Sequence, residues 1–259
     1  MDRFRKKPAA PKKESLIIGR QPVIEAIRGG RPVDKILFQQ NVSGESIGEI
    51  RKLAKELAIP IQQVPVEKLN FMTRANHQGV IALAALVRYM DLQEVIDHIV
   101  GEGGLPLFVM LDGVTDVRNI GAIARTAVCC GAQALIIPDK GVGALNEEAL
   151  KSSAGALEHI QVCRVNSLMK AVDTLHLNGI KVYASEMTAS IPIHEADWQS
   201  PVCMVMGSED KGVFPPLMKI CDQQVHIPMA GDFESLNVSV AAGIMLYEAM
   251  KQRQSTPAG

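Results

Sequence analysis

At 259 residues the chain is long enough for one large domain or two smaller ones with buried cores. Apolar residues make up 47% and charged residues 21%, a globular balance, and no apolar run approaches the length of a membrane span. The formal net charge of −1 does not by itself advertise a nucleic-acid partner, and the basic start leads into Pro8-Ala-Ala-Pro11 rather than the apolar core of a secretion signal, so a cytoplasmic protein is expected.

In chain order, residues 1 to 13 come first, with six basic side chains (Arg3, Arg5, Lys6, Lys7, Lys12, Lys13) against Asp2. The local excess of five positive charges leaves −6 on the remainder. A segment of this kind, broken by Pro8 and Pro11, predicts a disordered basic tail over 1–14, either a solvated terminus or a non-specific attractor of phosphates. Strand and helix signals then alternate: strand 16–18, helix 21–28 stopped by Gly29-Gly30, strand 35–39, amphipathic helix 45–58, strand 61–64, short helix 66–72, apolar strand 80–86. That alternation predicts a small α/β layer domain over 15–88. A polar amphipathic stretch runs from Asp91 to Val100 into Gly101-Glu-Gly-Gly104, which reads as a short helix and a joint, so a linker is expected over 89–104.

From Leu105 the predicted strands are 107–111, 134–138, 160–165, 180–186, 202–206 and 224–229. Helices are expected between them at 120–130, 146–153, 167–178 and near 216–222, the last entered through Pro215-Pro216. A final helix, capped by Ser235 or Asn237, runs to about Gln252. Near-continuous apolar strands separated by helices predict a Rossmann-like parallel sheet covered on both faces over 105–253, followed by a short tail at 254–259. The five cysteines (Cys129, Cys130, Cys163, Cys203, Cys221) form no C-x-x-C pair and read as buried free thiols, with no metal site.

Three loops carry the chemistry, each after a predicted apolar strand. The first contains Asn119, Gly121 and Arg125, the second Gly207, Glu209 and Gly212, and the third Ile227-Pro228 through Ser235-Leu-Asn237. No G-x-G-x-x-G fingerprint follows a strand and no P-loop is present, which disfavours a dinucleotide or ATP site. In the first loop Asn119 is a plausible helix N-cap. Gly121 and Arg125 stand four apart, with Gly121 expected to leave open space that Arg125 crosses. Arg125 has no carboxylate at helical spacing, so either a phosphate or ribose or a distant acid must partner it. His159 and His226 read as satisfied structural groups, and Lys151-Ser-Ser-Ala-Gly-Ala156 as a helix-to-strand connection or a phosphate contact.

Together, in this order and spacing, the three blocks resemble the motifs of the SpoU (TrmH-like) family of RNA ribose 2'-O-methyltransferases. The resemblance extends over the amino-terminal third as well. It implies a ribosomal-protein-like RNA-binding domain before a catalytic domain whose carboxyl-terminal segment forms a trefoil knot, although knots are rare in general. It also implies S-adenosylmethionine held by Gly207, Ile227 and Leu236, with Gly207 giving close approach. Catalytic roles fall on Asn119, Arg125, Glu209, Ser235 and Asn237, and the enzyme is expected to be a homodimer built on its last helix. Arg125 is the family's proton acceptor. A guanidinium loses its proton only above a pH of about 12, so Arg125 orienting ribose and phosphate stays open, as does Glu209 either anchoring Asn119 or Arg125 or acting as base. Val117 stands where many relatives carry Pro. The extra domain and compact length are most similar to bacterial enzymes acting on guanosine in 23S ribosomal RNA. A tRNA substrate and a non-catalytic RNA-binding role in ribosome assembly remain as alternatives. Arg20, Arg28, Arg31, Arg74 and His77 are the candidate RNA contacts of the first domain.

Overall fold

A computed structural model describes residues 16–143, 145–231 and 235–254. The basic tail and the last residues of the sequence lie outside that set. The chain divides into two compact units, one up to Leu86 and one from Val87 onward.

The first unit is built from β1 (Leu16–Ile18), α1 (Arg20–Arg28), β2 (Val33–Gln39), α2 (Glu45–Glu56), β3 (Ile61–Val64), α3 (Val66–Met72) and β4 (Val80–Ala84). The four strands form one sheet in the order β1-β4-β2-β3, with β4 antiparallel to β1 and β2, and β2 parallel to β3. The period of two along β2 separates the two sides of this sheet. Ile36 and Phe38 meet Val23, Ile24 and Ile27 of α1 and Ile47, Ile50 and Ala54 of α2. Leu37, between them in sequence, packs with Val64, Leu69 and Ile81.

Among the candidate RNA contacts, Arg28 is engaged by Glu49 at 2.7 Å. The Arg20 Nε donates to the Gln78 carbonyl at 3.0 Å. His77 is bonded through both ring nitrogens, to Asn70 Oδ1 and to the Gly79 amide, each at 3.0 Å. The side chains of Arg31 and Arg74 have no hydrogen-bond or ion-pair partner among the described residues, the Arg31 backbone amide donating to the Ala26 carbonyl.

The second unit continues with β5 (Tyr89–Met90), α4 (Leu92–Gly101), β6 (Leu107–Leu111), α5 (Val117–Cys129), β7 (Ala134–Pro138) and α6 (Glu147–Ser152). A 3-10 turn at Ala156–Glu158 leads to β8 (Gln161–Val165), α7 (Leu168–Leu177), β9 (Lys181–Ser185) and β10 (Ile191–Pro192). The remaining elements are β11 (Val202–Met206), α8 (Pro215–Met218), β12 (Gln223–His226) and α9 (Val238–Gln254). All eight strands pair in parallel, in the order β10-β12-β9-β11-β6-β7-β8-β5. Strand β6 shows why the central strands read as unbroken apolar runs. Leu107, Val109 and Leu111 face α5 and α9, while Phe108 and Met110 face α4 and α7. Both faces are covered, as the pattern predicts.

Residues 89–104 are not the expected linker. Tyr89 and Met90 pair with β8, and Leu92, Val95, Ile96 and Ile99 are buried in the second core. The polar residues of α4 occupy only its outer face, which is what made the stretch look like a joint. Strand β12 also ends at His226, so Ile227 to Met229 leave the sheet. The far end of α9 is anchored by Arg253, which donates to four carbonyls, those of Leu105, Pro106, Trp198 and Ser200, at 2.8–2.9 Å. Burial draws its pKa down to about 10, so it remains a cation at neutral pH.

Strand order reverses between β6 and β11. The chain builds outward from β6 through β7 to β8, then crosses to β9 and inserts β11 beside β6, Leu111 opposite Met206. In open parallel sheets the crevice beyond the strand ends at such a reversal is where ligands bind. All three motif loops emerge there.

Candidate active site

The first loop leaves β6 at Asp112 and enters α5. Asp116, not Asn119, caps this helix, accepting from the Arg118 amide at 2.9 Å. Arg118 closes on both oxygens of the same carboxylate, and these bonds hold the Asp116 carboxyl below its ordinary value. The helix therefore starts three residues earlier than the sequence suggests, and Asn119 lies within its first turn with its side chain free for another use. Nor does Gly121 leave open space. A Cβ there would collide with Ser152 and with the backbone of Ala149 and Ser153, so this glycine lets α6 close on α5. Arg125 is exposed, and none of the described residues pairs with it.

The second loop is a tight turn fastened by paired backbone bonds between Ser208 and Gly212, 3.1 and 2.9 Å. Gly212 has φ +65°, and a Cβ on Gly207 would run into the backbone of Gly212 and Val213. Gly207 is thus needed first by the turn itself. The Phe214 amide donates to Asp112 Oδ2 at 2.6 Å, joining the second loop to the first. Of the third loop, Ile227 to Gly231 and Ser235 to Asn237 are described. Asn237 caps α9 by accepting from the Ser239 and Val240 amides at 2.9 and 3.4 Å and from the Ser239 hydroxyl at 2.6 Å. Ser235 makes no cap.

The loops meet at one carboxylate. Glu209 Oε1 accepts from Asn119 Nδ2 at 2.6 Å and from Asn237 Nδ2 at 2.9 Å, and Asn237 Nδ2 also lies 3.3 Å from Asn119 Oδ1. One residue from each loop is thus held in a single cluster of hydrogen bonds across up to 118 positions of sequence. Both donors converge on Oε1, and Oε2 has no hydrogen-bond partner among the described residues.

Beside this junction lies a cleft of about 360 Å³. Its walls combine apolar side chains (Met206, Ile227, Leu236, Val238, Ala241) with the backbone of Gly207 and Ser208 and the acidic groups Glu186, Glu209 and Asp210. The volume and the mix of apolar wall and few polar groups suit a small molecule. Gly207, Ile227, Leu236 and Ser235 all line it, whereas Asn119 and Asn237 do not. His226, expected to be satisfied, also lines this cleft, and its Nδ1 is buried with no hydrogen-bond partner among the described residues. A buried polar atom in that state is one that a ligand can satisfy. Nothing in the sequence marked His226 beyond its place in a predicted strand. A second cleft of about 320 Å³ lies across Glu209, lined by Gly113, Val114, Thr115, Asp116 and Asn119, and shares the wall Ser208 to Lys211 with the first. Among the described residues, no group of His, Cys, Asp and Glu could hold a metal, and no helix is long and apolar enough to cross a membrane.

Comparison with known proteins bears on the same stretches. Residues 106–247 match the model of the SpoU rRNA methylase family, and residues 16–90 match that of the RNA 2'-O ribose methyltransferase substrate-binding domain. A Staphylococcus aureus protein named as a TrmH-family tRNA/rRNA methyltransferase is 38% identical over 240 residues, 93% of this chain and 97% of the relative. The SpoU methyltransferase AviRb from Streptomyces viridochromogenes, solved in complex with AdoMet, superposes with a TM-score of 0.59 at 27% identity, covering 93% of this chain and 91% of that one. A TrmH/SpoU tRNA-modifying enzyme from A. aeolicus gives a TM-score of 0.51 at 31% identity over 57% of this chain and 75% of its own.

Proposed function

The chain belongs to the SpoU rRNA methylase family, and on that premise we propose that it methylates the ribose 2'-hydroxyl of a guanosine in large-subunit ribosomal RNA. It is an S-adenosylmethionine-dependent RNA methyltransferase. The observation that carries the residue-level reading is the junction at Glu209, where three loops from the strand reversal converge between two clefts.

The cleft lined by Gly207, Ile227 and Leu236 fits S-adenosylmethionine. Its apolar walls suit an adenine ring, strand-end backbone groups suit the ring's polar edge, and the acidic lip suits a cationic ligand. Bound there, the cofactor supplies a methyl group already activated by its sulfonium. Alignment of the attacking hydroxyl can then account for most of the rate. Asn119 and Asn237 fix the Glu209 carboxylate through Oε1, which leaves Oε2 to accept a hydrogen bond from the ribose hydroxyl and to take its proton as it departs. Arg125, exposed and unpaired among the described residues, is the group this reading assigns to the substrate's phosphate and ribose, which its planar fork can hold. Ser235 lines the cofactor cleft beside Leu236 and supports the third loop.

A two-fold homodimer built on α9 belongs to the same reading. Val238, Ala242, Met245, Leu246 and Ala249 already cover the sheet, yet Val240, Ile244 and Tyr247, spaced for one outer face, remain 49%, 38% and 59% exposed. The family's trefoil knot is carried in this proposal as well. A tRNA substrate is the second reading, favoured by the tRNA-modifying A. aeolicus neighbour. Nucleoside analysis of RNA from cells lacking the protein decides between them. Loss of one 2'-O-methylguanosine from large-subunit RNA is expected, and loss from tRNA alone would replace the first reading with the second.

A further inference from the structure

The second cleft has a use that follows from its lining. It shares the wall Ser208 to Lys211 with the cofactor cleft, so a group bound in it faces the cofactor across Glu209. At about 320 Å³ it falls within the range of roughly 300–1,000 Å³ of small-molecule sites. Its chemistry is unsuited to phosphate, because three carboxylates (Asp116, Glu209, Asp210) stand against the single ammonium of Lys211. It suits a ligand rich in N–H and O–H donors.

The carboxylates are not equally available. Both oxygens of Asp116 are taken by Arg118. Glu209 Oε1 is taken by Asn119 and Asn237. Asp210 has no hydrogen bond or ion pair among the described residues, and neither does the side chain of Lys211, whose backbone amide donates to Ser208 Oγ at 3.2 Å. The turn that carries them is held rigid by the Ser208–Gly212 bonds, so these two free charges are presented from a fixed backbone. A lone carboxylate beside a lone ammonium distinguishes the bases of an unpaired nucleotide. Only guanine offers two adjacent N–H donors, N1–H and the N2 amine, on its Watson–Crick edge, with a carbonyl acceptor, O6, next to them. A carboxylate receives the first pair in a two-pronged, charge-assisted contact, and an ammonium reaches the acceptor. Adenine and cytosine each offer one donor amine beside a bare ring nitrogen, which a carboxylate repels. Uracil offers one N–H between two carbonyls.

We propose that this second cleft is the acceptor-nucleoside site and that Asp210, assisted by Lys211, reads the Watson–Crick edge of guanine in it. The proposal rests on the methyl-transfer reading above and adds the groups that select the base. Asp210 acts on specificity and not on the methyl group, so its test is a comparison of bases.

The purified chain is first given RNA from cells lacking it together with a methyl-labelled donor, and the labelled nucleotide is located. A short RNA spanning that position is then made with guanosine or with inosine, which lacks only the N2 amine. For the wild-type chain, kcat/KM on the inosine RNA should fall by about 5- to 150-fold, the range expected when a two-pronged base contact is broken. Asp210→Ala should lose a similar factor on the guanosine RNA, Asp210→Asn an intermediate one, and neither should lose much further on inosine, because the contact is already gone. A melting curve unchanged from wild type should show that each variant is folded, and comparing guanosine with inosine RNA within one variant cancels any effect on the cofactor, whose cleft Asp210 also lines. Label on a nucleotide other than guanosine, or a full inosine penalty persisting in Asp210→Ala, would overturn the assignment of Asp210 while leaving methyl transfer standing. No transfer by the wild type to any RNA would remove the reading on which the proposal depends.

Discussion

At the residue scale the proposed reaction divides its chemistry between Glu209 and Arg125, and each has a distinct expected phenotype. Arg125 is exposed and supports nothing in the fold that is described, so Arg125→Ala should leave stability within about 0.5 kcal/mol of wild type, as for other exposed sites. Turnover should nevertheless fall by at least about 100-fold, with cofactor affinity unchanged, because a positioning contact matters most in the transition state. Arg125→Lys should be nearly as damaging, since a point charge does not replace a planar fork. Single-turnover rates beside calorimetry read both quantities, and a lysine variant that kept substantial activity would reduce Arg125 to a charge. Glu209→Gln keeps the shape and removes the proton acceptor. It should lose turnover with RNA and cofactor binding near normal, whereas near-normal turnover would return the proton to Arg125 or to water. The residue types of the junction were legible in the sequence, and Glu209 anchoring Asn119 was among the roles left open, but nothing local chose between those roles. Asn119 reads as an N-cap because Asn favours that position, yet Asp116 lies three residues earlier, closes its own turn with Arg118 and takes the cap. Only the meeting with Glu209, 90 positions away, shows what Asn119 is for.

Between elements, the glycines decide which surfaces close. Gly121 is the contact point of α5 and α6, and Gly121→Ala must push Ser152 and the α6 backbone away. Overpacking of this kind costs about 1–3 kcal/mol, which corresponds to a fall in Tm of roughly 2–12 °C for a chain this size. A melting curve unchanged from wild type would mean that α6 yields freely. Helix α9 makes the opposite case, an outer face too apolar for water. Tyr247→Asp, on that face and away from both clefts, should shift the chain from dimer to monomer in light scattering at micromolar concentration. A wild type that is monomeric and fully active would end the dimer proposal. The long periodic elements could be read from the sequence with ends displaced by a few residues, because burial fixes their faces. The two-residue strands β5 and β10 could not, since each has meaning only through its pairing with β8 or β12. The polar outer face of α4 made a helix that was read as such pass for part of a linker, although its inner face is core.

On the scale of the whole molecule, the parallel sheet brings the ends of β6, β11 and β12 together, and three loops distant in sequence become one site. The alternation of strands and helices made that sheet legible; the strand order, and therefore the place of the crevice, depended on pairings that no local pattern encodes. Charge is also distributed at this scale, with six cations in residues 1–13 of a chain whose net charge is −1. If those cations meet RNA, deleting the segment should weaken binding and flatten its salt dependence by about 0.7 for each phosphate that is no longer neutralised, with cofactor affinity unchanged. An identical slope would make the segment a bystander. In the proposed reaction the methyl group reaches a ribose 2'-oxygen. The most direct test is to incubate the purified chain with methyl-labelled S-adenosylmethionine and RNA from cells lacking the protein, then hydrolyse the RNA in alkali. Alkaline cleavage needs a free 2'-hydroxyl as nucleophile, so label is expected in alkali-resistant dinucleotides. Label recovered only in mononucleotides would place the methyl on a base and contradict that reaction.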